Sequence, residues 1–349
     1  MAYTTINKST DYFNTKHYTG TGYSLALTGV GFQPDWVWIK NRTAGSGADH
    51  ILTDSVRGAT KSLNTNDQSA DDTISNALTA FGADGFTVNG NGATGANGDT
   101  YASWCWKAGT TGSGTSTGSG TGKAYSYSVN TTAGFSIIKY VGNGTAGHTL
   151  PHHLGAVPKW ILVKDLDATV NWQMYHVKTG NTHTTEINIT NAPFSSSSRW
   201  NNTTPSSTVV TFGDGNNVNN NNTNYIMYAF AEKTGYSKFG QYTGNGNNNG
   251  PFIYTGFKPS LVITIRKDAA SGRGMLDKDR PGYNTTNQYL LANDSQLEAS
   301  DGSWSMDLLS NGWKARYNNG NFNADGGTYI YMAFGQSLVG SNNVPCTAR

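Results

Sequence analysis

The chain has 349 residues, of which 13% are charged and 12% aromatic, with 43 glycines and 24 basic against 22 acidic side chains. That balance leaves no field to steer a polyanion and no Lys/Arg cluster to neutralise a row of phosphates, which excludes nucleic acid as an expected partner. Apolar runs of about four to seven residues fall far short of the roughly 18 that a membrane-spanning helix needs, and the Gly, Asn, Thr and Ser bias favours turns and strands over helices.

In chain order, residues Met1 to Thr15 carry no basic stretch followed by an apolar core, so no secretion signal is expected. A tight turn follows at Tyr18-Thr19-Gly20-Thr21-Gly22, then a proline-led apolar strand, Pro34-Asp35-Trp36-Val37-Trp38-Ile39-Lys40. Proline fixes φ at a strand entrance, where its missing N–H does least harm. A short segment, Asp49 to Asp54, leads to a stretch with the only helix-like spacing, Asp67 to Ala80, where Ile74, Ala77 and Leu78 recur with Phe81. Asp84-Gly85-Phe86 opens a hairpin-type strand, and Tyr101-Ala102-Ser103-Trp104-Cys105-Trp106 closes the unit.

The same order then recurs twice. The opening turn returns as Tyr140-Val141-Gly142-Asn143-Gly144 and Tyr242-Thr243-Gly244-Asn245-Gly246. The proline strand returns from Pro158 to Lys164 and from Pro259 to Arg266, and the closing strand from Tyr225 to Phe230 and from Tyr329 to Phe334. The closing strands begin 67, 67 and 70 residues after their prolines, a regularity that chance similarity of short apolar runs would not keep. Asn311-Gly312-Trp313 repeats the hairpin signal, whereas the second copy has Ser206 to Gly213 and an Asn-rich stretch, Asn216 to Asn224. The reading is an all-β protein of three tandem β-sandwich, jelly-roll-like modules at 1–109, 123–236 and 237–349, with a flexible Gly/Ser/Thr linker at 110–122. Alternation of Trp36 and Trp38 with Val37 and Ile39 predicts a sheet buried on both faces.

Catalytic chemistry finds little support. His148, His152 and His153 lie close enough in sequence to suggest a metal site, but the other two copies have no histidine in that loop. The acidic pairs Asp71/Asp72, Asp277/Asp279 and Asp294/Glu298 could serve a glycosidase, yet none repeats between copies. No Gly-x-Ser-x-Gly elbow occurs, and the glycines from 112 to 122 lack the Gly-Lys-Ser/Thr of a phosphate loop. The loops Asp214-Gly215-Asn216-Asn217 and Asn323-Ala324-Asp325-Gly326 offer oxygen ligands of the kind Ca²⁺ takes, without the spacing of an EF-hand. The expectation is no catalytic residue, no metal site and no cofactor. Cys105 and Cys346 are read as free thiols. Trp172, Trp200, Trp304 and Trp313 lie near turns in polar surroundings and are the expected exposed binding aromatics, for a sugar or a protein surface.

The strings Gly31 to Lys40, Asp54-Ser55-Val56-Arg57-Gly58, Asp84-Gly85-Phe86 and Tyr101 to Gly109 resemble a module of large virion proteins of marine bacteriophages, cyanophages in particular. Module one carries the resemblance throughout, and the ending Val344 to Arg349 is similar to the chain ends of such proteins. The resemblance implies a virion structural protein, a tail fibre or other host-facing appendage, released by lysis and exposed on the virion surface. Alternatives are a capsid decoration protein, or a carbohydrate-binding module or glycan depolymerase. Expected partners are other virion proteins, further copies in a homo-oligomer (a trimer or hexamer), and a host surface glycan or protein.

Overall fold

The computed structural model describes residues 4–43 and 48–337, and the protein is all-β: the described residues form seven antiparallel sheets, with helix confined among them to single turns. The first third contributes β1 (Phe13–Thr19), β2 (Leu25–Leu27), β3 (Trp36–Asn41), β4 (Ile51–Asp54), β5 (Lys61–Asn64), β6 (Asp72–Thr73), β7 (Leu78–Gly82), β8 (Gly85–Val88) and β9 (Thr100–Trp106). The second contributes β10 (Thr110–Thr115), β11 (Thr117–Gly118), β12 (Ala124–Asn130), β13 (Phe135–Val141), β14 (His148–Pro151), β15 (Pro158–Asp165), β16 (Gln173–His176), β17 (His183–Thr184), β18 (Phe194–Ser195), β19 (Val209–Phe212) and β20 (Asn224–Ala231). The last contributes β21 (Ser237–Thr243), β22 (Phe252–Tyr254), β23 (Phe257–Arg266), β24 (Arg273–Asp277), β25 (Leu290–Leu291), β26 (Met306–Leu309), β27 (Gly312–Ala315) and β28 (Thr328–Ser337).

Each third builds one large sheet in which the closing strand lies between the opening and the proline strand: β1-β9-β3-β4, β13-β20-β15-β16 and β21-β28-β23-β24. A three-stranded sheet covers its outer face, β2-β8-β7, β11-β14-β19 or β22-β27-β26. The period of two sorts the side chains. Val37, Ile39, Tyr101 and Cys105 face the small sheet of their own module, as do Ile161, Val163 and Met227 in the second and Val262, Tyr331 and Ala333 in the third.

The opposite faces do not meet solvent. Trp36, Trp38, Trp104, Trp106, Ile137, Trp160, Leu162, Tyr228, Phe230, Leu261, Ile263, Met332 and Phe334 form one cluster contributed by all three large sheets. Residues at the same position of the three closing strands touch each other: Trp106 to Phe334 at 5.4 Å between ring centroids, Phe230 to Phe334 at 5.6 Å and Trp106 to Phe230 at 6.3 Å. A triangle of equivalent residues can only lie on a common pseudo-threefold axis. The three sheets therefore stand around that axis like the sides of a prism, with their opening turns at one end.

The seams between modules repeat around this ring. At one equivalent position His50 Nε2 donates to Leu291 O, Trp172 Nε1 to Asn64 O and Arg273 Nη2 to Glu186 O, so each module reaches the one before it, and the first reaches the last. Four residues later the links run the other way: Tyr228 Oη donates to Asp54, His176 Nε2 to Tyr331 O and Trp104 Nε1 to Asp277. Head-to-tail contacts that close after three steps are the rule of a cyclic assembly, here within one chain.

Two expectations change. Residues 110–122 are not a flexible linker: β10 pairs with β12, with Gly112 opposite Tyr127 and Gly114 opposite Tyr125. A Cβ on either glycine would lie within 2.6 Å of the tyrosine hydroxyl, so glycine is there to let the ring cross the strand. Asp67 to Ala80 holds no helix but β6 and the start of β7; Ala77 and Leu78 are buried, with Ile74 and Phe81 packed against the module's outer core. The spacing came from a chain crossing between two sheets. Cys105 is a buried free thiol pushed up to about 12 by burial, while Cys346 and the Val344 to Arg349 ending lie outside the described residues.

Phe230 touches Trp36 and Trp106 of module one, Phe135 and Trp160 of its own module, and Phe239 and Phe334 of module three. Phe230→Ala is expected to lower stability by about 3–5 kcal/mol in urea unfolding followed by tryptophan fluorescence, with one transition for the whole chain. A second transition, leaving one module folded, would contradict a common core.

Candidate functional site

At the end of the prism where the opening turns lie, each module builds the same lock. Tyr18 stacks on Tyr101, Tyr140 on Tyr225 and Tyr242 on Tyr329, with centroids 5.0, 5.1 and 4.9 Å apart. The first tyrosine of each pair donates to the carbonyl of Thr94, Val218 or Phe322, in the turn that precedes the closing strand. The second accepts from the backbone N–H of Ala96, Asn220 or Ala324 and donates to Gly92, Asn216 or Gly320. The repeated glycines follow from this geometry. A Cβ on Gly20, Gly142 or Gly244 would sit 2.2–2.3 Å from a carbonyl oxygen, and Gly22, Gly144 and Gly246 have φ of 76°, 72° and 61°.

Two buried asparagines finish the lock in the later modules. Asn219 donates to Thr145 O and Gly213 O and accepts from Asn143 N; Asn323 donates to Asn247 O and Tyr317 O and accepts from Asn245 N. The loops weighed as calcium ligands are thus held by amide side chains whose oxygen already accepts a backbone N–H. Outside the locks the loops differ: Thr21, Tyr23 and Ser24 are exposed in module one, Asn220 to Asn222 in module two, and Asn247 to Asn249 with Asn318 in module three. Amides and hydroxyls on a rigid frame make a hydrogen-bonding surface.

The four expected binding tryptophans are not part of it. Trp172, Trp200 and Trp313 are fully buried and Trp304 is 2% exposed, which corrects their placement on the surface. Trp172 packs in the common core, Trp200 against Tyr175 and Phe212, Trp304 on Tyr289 and over Gly274, and Trp313 against Tyr242 and Phe322. Polar sequence neighbours concealed them: Gln173 beside Trp172 is itself buried, and Ser305 beside Trp304 nearly so.

The candidate catalytic groups are engaged in structure. Asp54 and Arg57 form a buried ion pair, and Asp277 and Arg280 repeat it, each aspartate also accepting two backbone N–H groups of its turn. Burial raises the Asp277 carboxyl, but Arg280, His17 and the turn amides outweigh it and leave it below the usual range. Asp71 pairs with Arg57, and Glu298 with Arg280 of its own module and with Arg42 across the seam between modules three and one. His148 is held by Asn219 and Ser116, His152 reaches Ser206 O, and His153 stacks on Tyr127 at 3.8 Å, so the three rings have separate partners. Among the described residues no group of three metal-ligating side chains converges. A trough of about 250 Å³ on the axis-facing side of β12 and β13, where Ser126 and Lys139 point, brings no carboxylate into its lining.

Sequence reasoning passed over two kinds of group. Lys40 Nζ is buried and donates to the carbonyls of Asn41, Ala48 and Ser295, and Lys164 Nζ to those of Asp165 and Ala168; burial pushes both ammonium groups down to about 8. The exposed aromatics Tyr23, Phe252 and Tyr254 also went unmarked, because an aromatic within a strand pattern reads as core.

The architecture is all-β, with three large antiparallel sheets packed on one shared core. The chain belongs to the family DUF7483, a domain of unknown function, whose model matches residues 8–337. No curated protein and no solved structure matches it.

Two predictions test the locks and seams. Tyr225→Phe leaves the Asn220 N–H and the Asn216 carbonyl without their partner and should cost about 1–3 kcal/mol in urea unfolding, against less than about 0.5 for Tyr23→Ala. His50 Nδ1 accepts from Trp38 Nε1 and His176 Nδ1 from the Lys178 N–H, so neither ring has a free site for a second proton. Burial lowers both, His176 to about 3. At these two sites the unfolded chain binds more protons below the ordinary value of 6.5, so their contribution to stability is level above about pH 7 and falls as pH drops through 6.5. Thermal unfolding from pH 7 to 5 should show this fall, and His50→Gln with His176→Gln, which keeps one acceptor and one donor at each place, should reduce it, the remainder coming from other histidines that burial lowers, His148 and His152 among them.

Proposed function

We propose that this chain is a structural and binding protein of a bacteriophage virion, a component of a tail fibre or other host-facing appendage, and not an enzyme. The phage assignment rests on the resemblance carried by module one. The structural half rests on one observation: the three large sheets bury their second faces in one common core, and of the carboxylates weighed for hydrolysis Asp277 and Glu298 are held in ion pairs with Arg280 and Arg42. Such a ring is stiff, and it carries its differing loops on one end of a repeated scaffold. Other virion proteins and further copies of the chain would hold the ring in place, and a host surface molecule would meet its loops.

Antibody labelling of purified virions by electron microscopy tests the reading. The expected result is a few copies per particle at the tail or its fibres. Hundreds of copies spread over the capsid would favour decoration, and absence from virions would overturn the proposal. Release of sugar from host polysaccharide by the pure protein would contradict the non-enzymatic half.

A further inference from the structure

Seven large apolar or aromatic side chains are well exposed among the described residues, and five of them, Phe252, Tyr254, Tyr283, Leu297 and Tyr317, belong to module three. Phe252 and Tyr254 lie on the same outward face of β22, two residues apart, 45% and 53% exposed. Strand register aligns this module with its sisters: Ile253, opposite Trp313, corresponds to Leu27, opposite Phe86, and to Leu150, opposite Val210. The counterparts of Phe252 are then Ala26 and Thr149, and those of Tyr254 are Thr28 and Pro151. The scaffold is built twice without aromatics here. Their exposure in module three is therefore not a packing requirement, and paired exposed rings on a sheet face mark a contact surface.

The surroundings of the rings specify what they would touch. Phe252 leans over Gly312, whose α-carbon leaves room for the ring edge, so β27 supports it from beside. Lys238 Nζ lies 5.6 Å from the centre of the Tyr254 ring, and Lys314, opposite Phe252, is tethered through Gly250 O. Among the described residues neither lysine pairs with a carboxylate, and Asp307 in the next strand is bound by Arg316. The face is thus two rings, two ammonium groups, one of them tethered, and one neutralised aspartate.

We infer that the Phe252/Tyr254 face of module three is a binding site for an acidic polysaccharide, a chain of uronate-type sugars. The apolar C–H face of a pyranose stacks on an aromatic ring, and two rings at i and i+2 offer places for successive sugars along an extended chain. Carboxylates on those sugars meet Lys238 and Lys314, which a neutral glycan would leave unpaired; the positive rim selects for charge while the rings select for shape. This deepens the host-facing reading proposed above and rests on it for the source of the sugar, but binding by the pure chain is measured independently of where the chain sits on a virion.

The test is affinity electrophoresis of the full chain in gels containing sodium alginate, a polyuronate, with dextran as the neutral control. Retardation by alginate and not by dextran is expected, weakening as salt is raised from 50 to 300 mM through screening of the two lysines, on the order of a few-fold. Phe252→Ala with Tyr254→Thr should lower the affinity at least about tenfold at unchanged Tm, since the sister modules fold with such residues there. Lys238→Gln with Lys314→Gln should abolish the preference for alginate. Equal retardation by both polymers, no retardation by alginate, or full retardation of the ring variant would each overturn the inference; Tyr23→Ala, on module one, should bind as the unaltered chain does.

Discussion

The structure depends on strands that have no solvent face. In β3, β15 and β23 and in the closing strands β9, β20 and β28, one set of alternate residues meets the module's own small sheet and the other set meets the two neighbouring modules. A sandwich with a wet outer sheet could stand alone. A sheet whose second face carries Trp36, Trp38, Trp104 and Trp106 cannot, because exposing several large rings to water costs about 1.5–3 kcal/mol for each. The three modules therefore share their stability. The pseudo-threefold axis is the place where the rings of one module find the partners they lack.

Apolar packing alone would allow the sheets to slide or rotate. The polar links at the seams fix the register, and they do so with different chemistry at equivalent positions. His50, Trp172 and Arg273 share no chemistry beyond an N–H that reaches a backbone carbonyl of the neighbouring module. Each seam has thus kept a geometric requirement and changed the residue that meets it. The same is true of the pair of aspartates at 54 and 277 and the histidine at 176. Buried polar groups of this kind are costly when half satisfied, which argues that the seams do not open and close freely.

Much of this was legible in the chain. The proline strands, the closing strands and the Tyr-x-Gly-x-Gly turns are local signals, and the alternation of Trp36 and Trp38 with Val37 and Ile39 already required two buried faces. What covers the second face is a long-range fact that no window of sequence contains. The tryptophans at 172, 200, 304 and 313 were misplaced for the same reason: polar neighbours describe the chain, while burial is set by what folds over it. The glycines of β10 read as flexible because the tyrosines that lie across them, Tyr125 and Tyr127, come a dozen residues later. The Phe252/Tyr254 face is set apart only by strand register, which places aromatics at these positions in the third module alone.

Native-state hydrogen exchange tests the central claim, one shared core rather than three sandwiches in a row. Amides in β3, β15 and β23 should exchange only through global unfolding, with the same opening free energy and the same denaturant dependence in all three. If the amides of one proline strand exchanged through a smaller opening while the other two stayed protected, that module would hold its own core and the ring would not be a single unit.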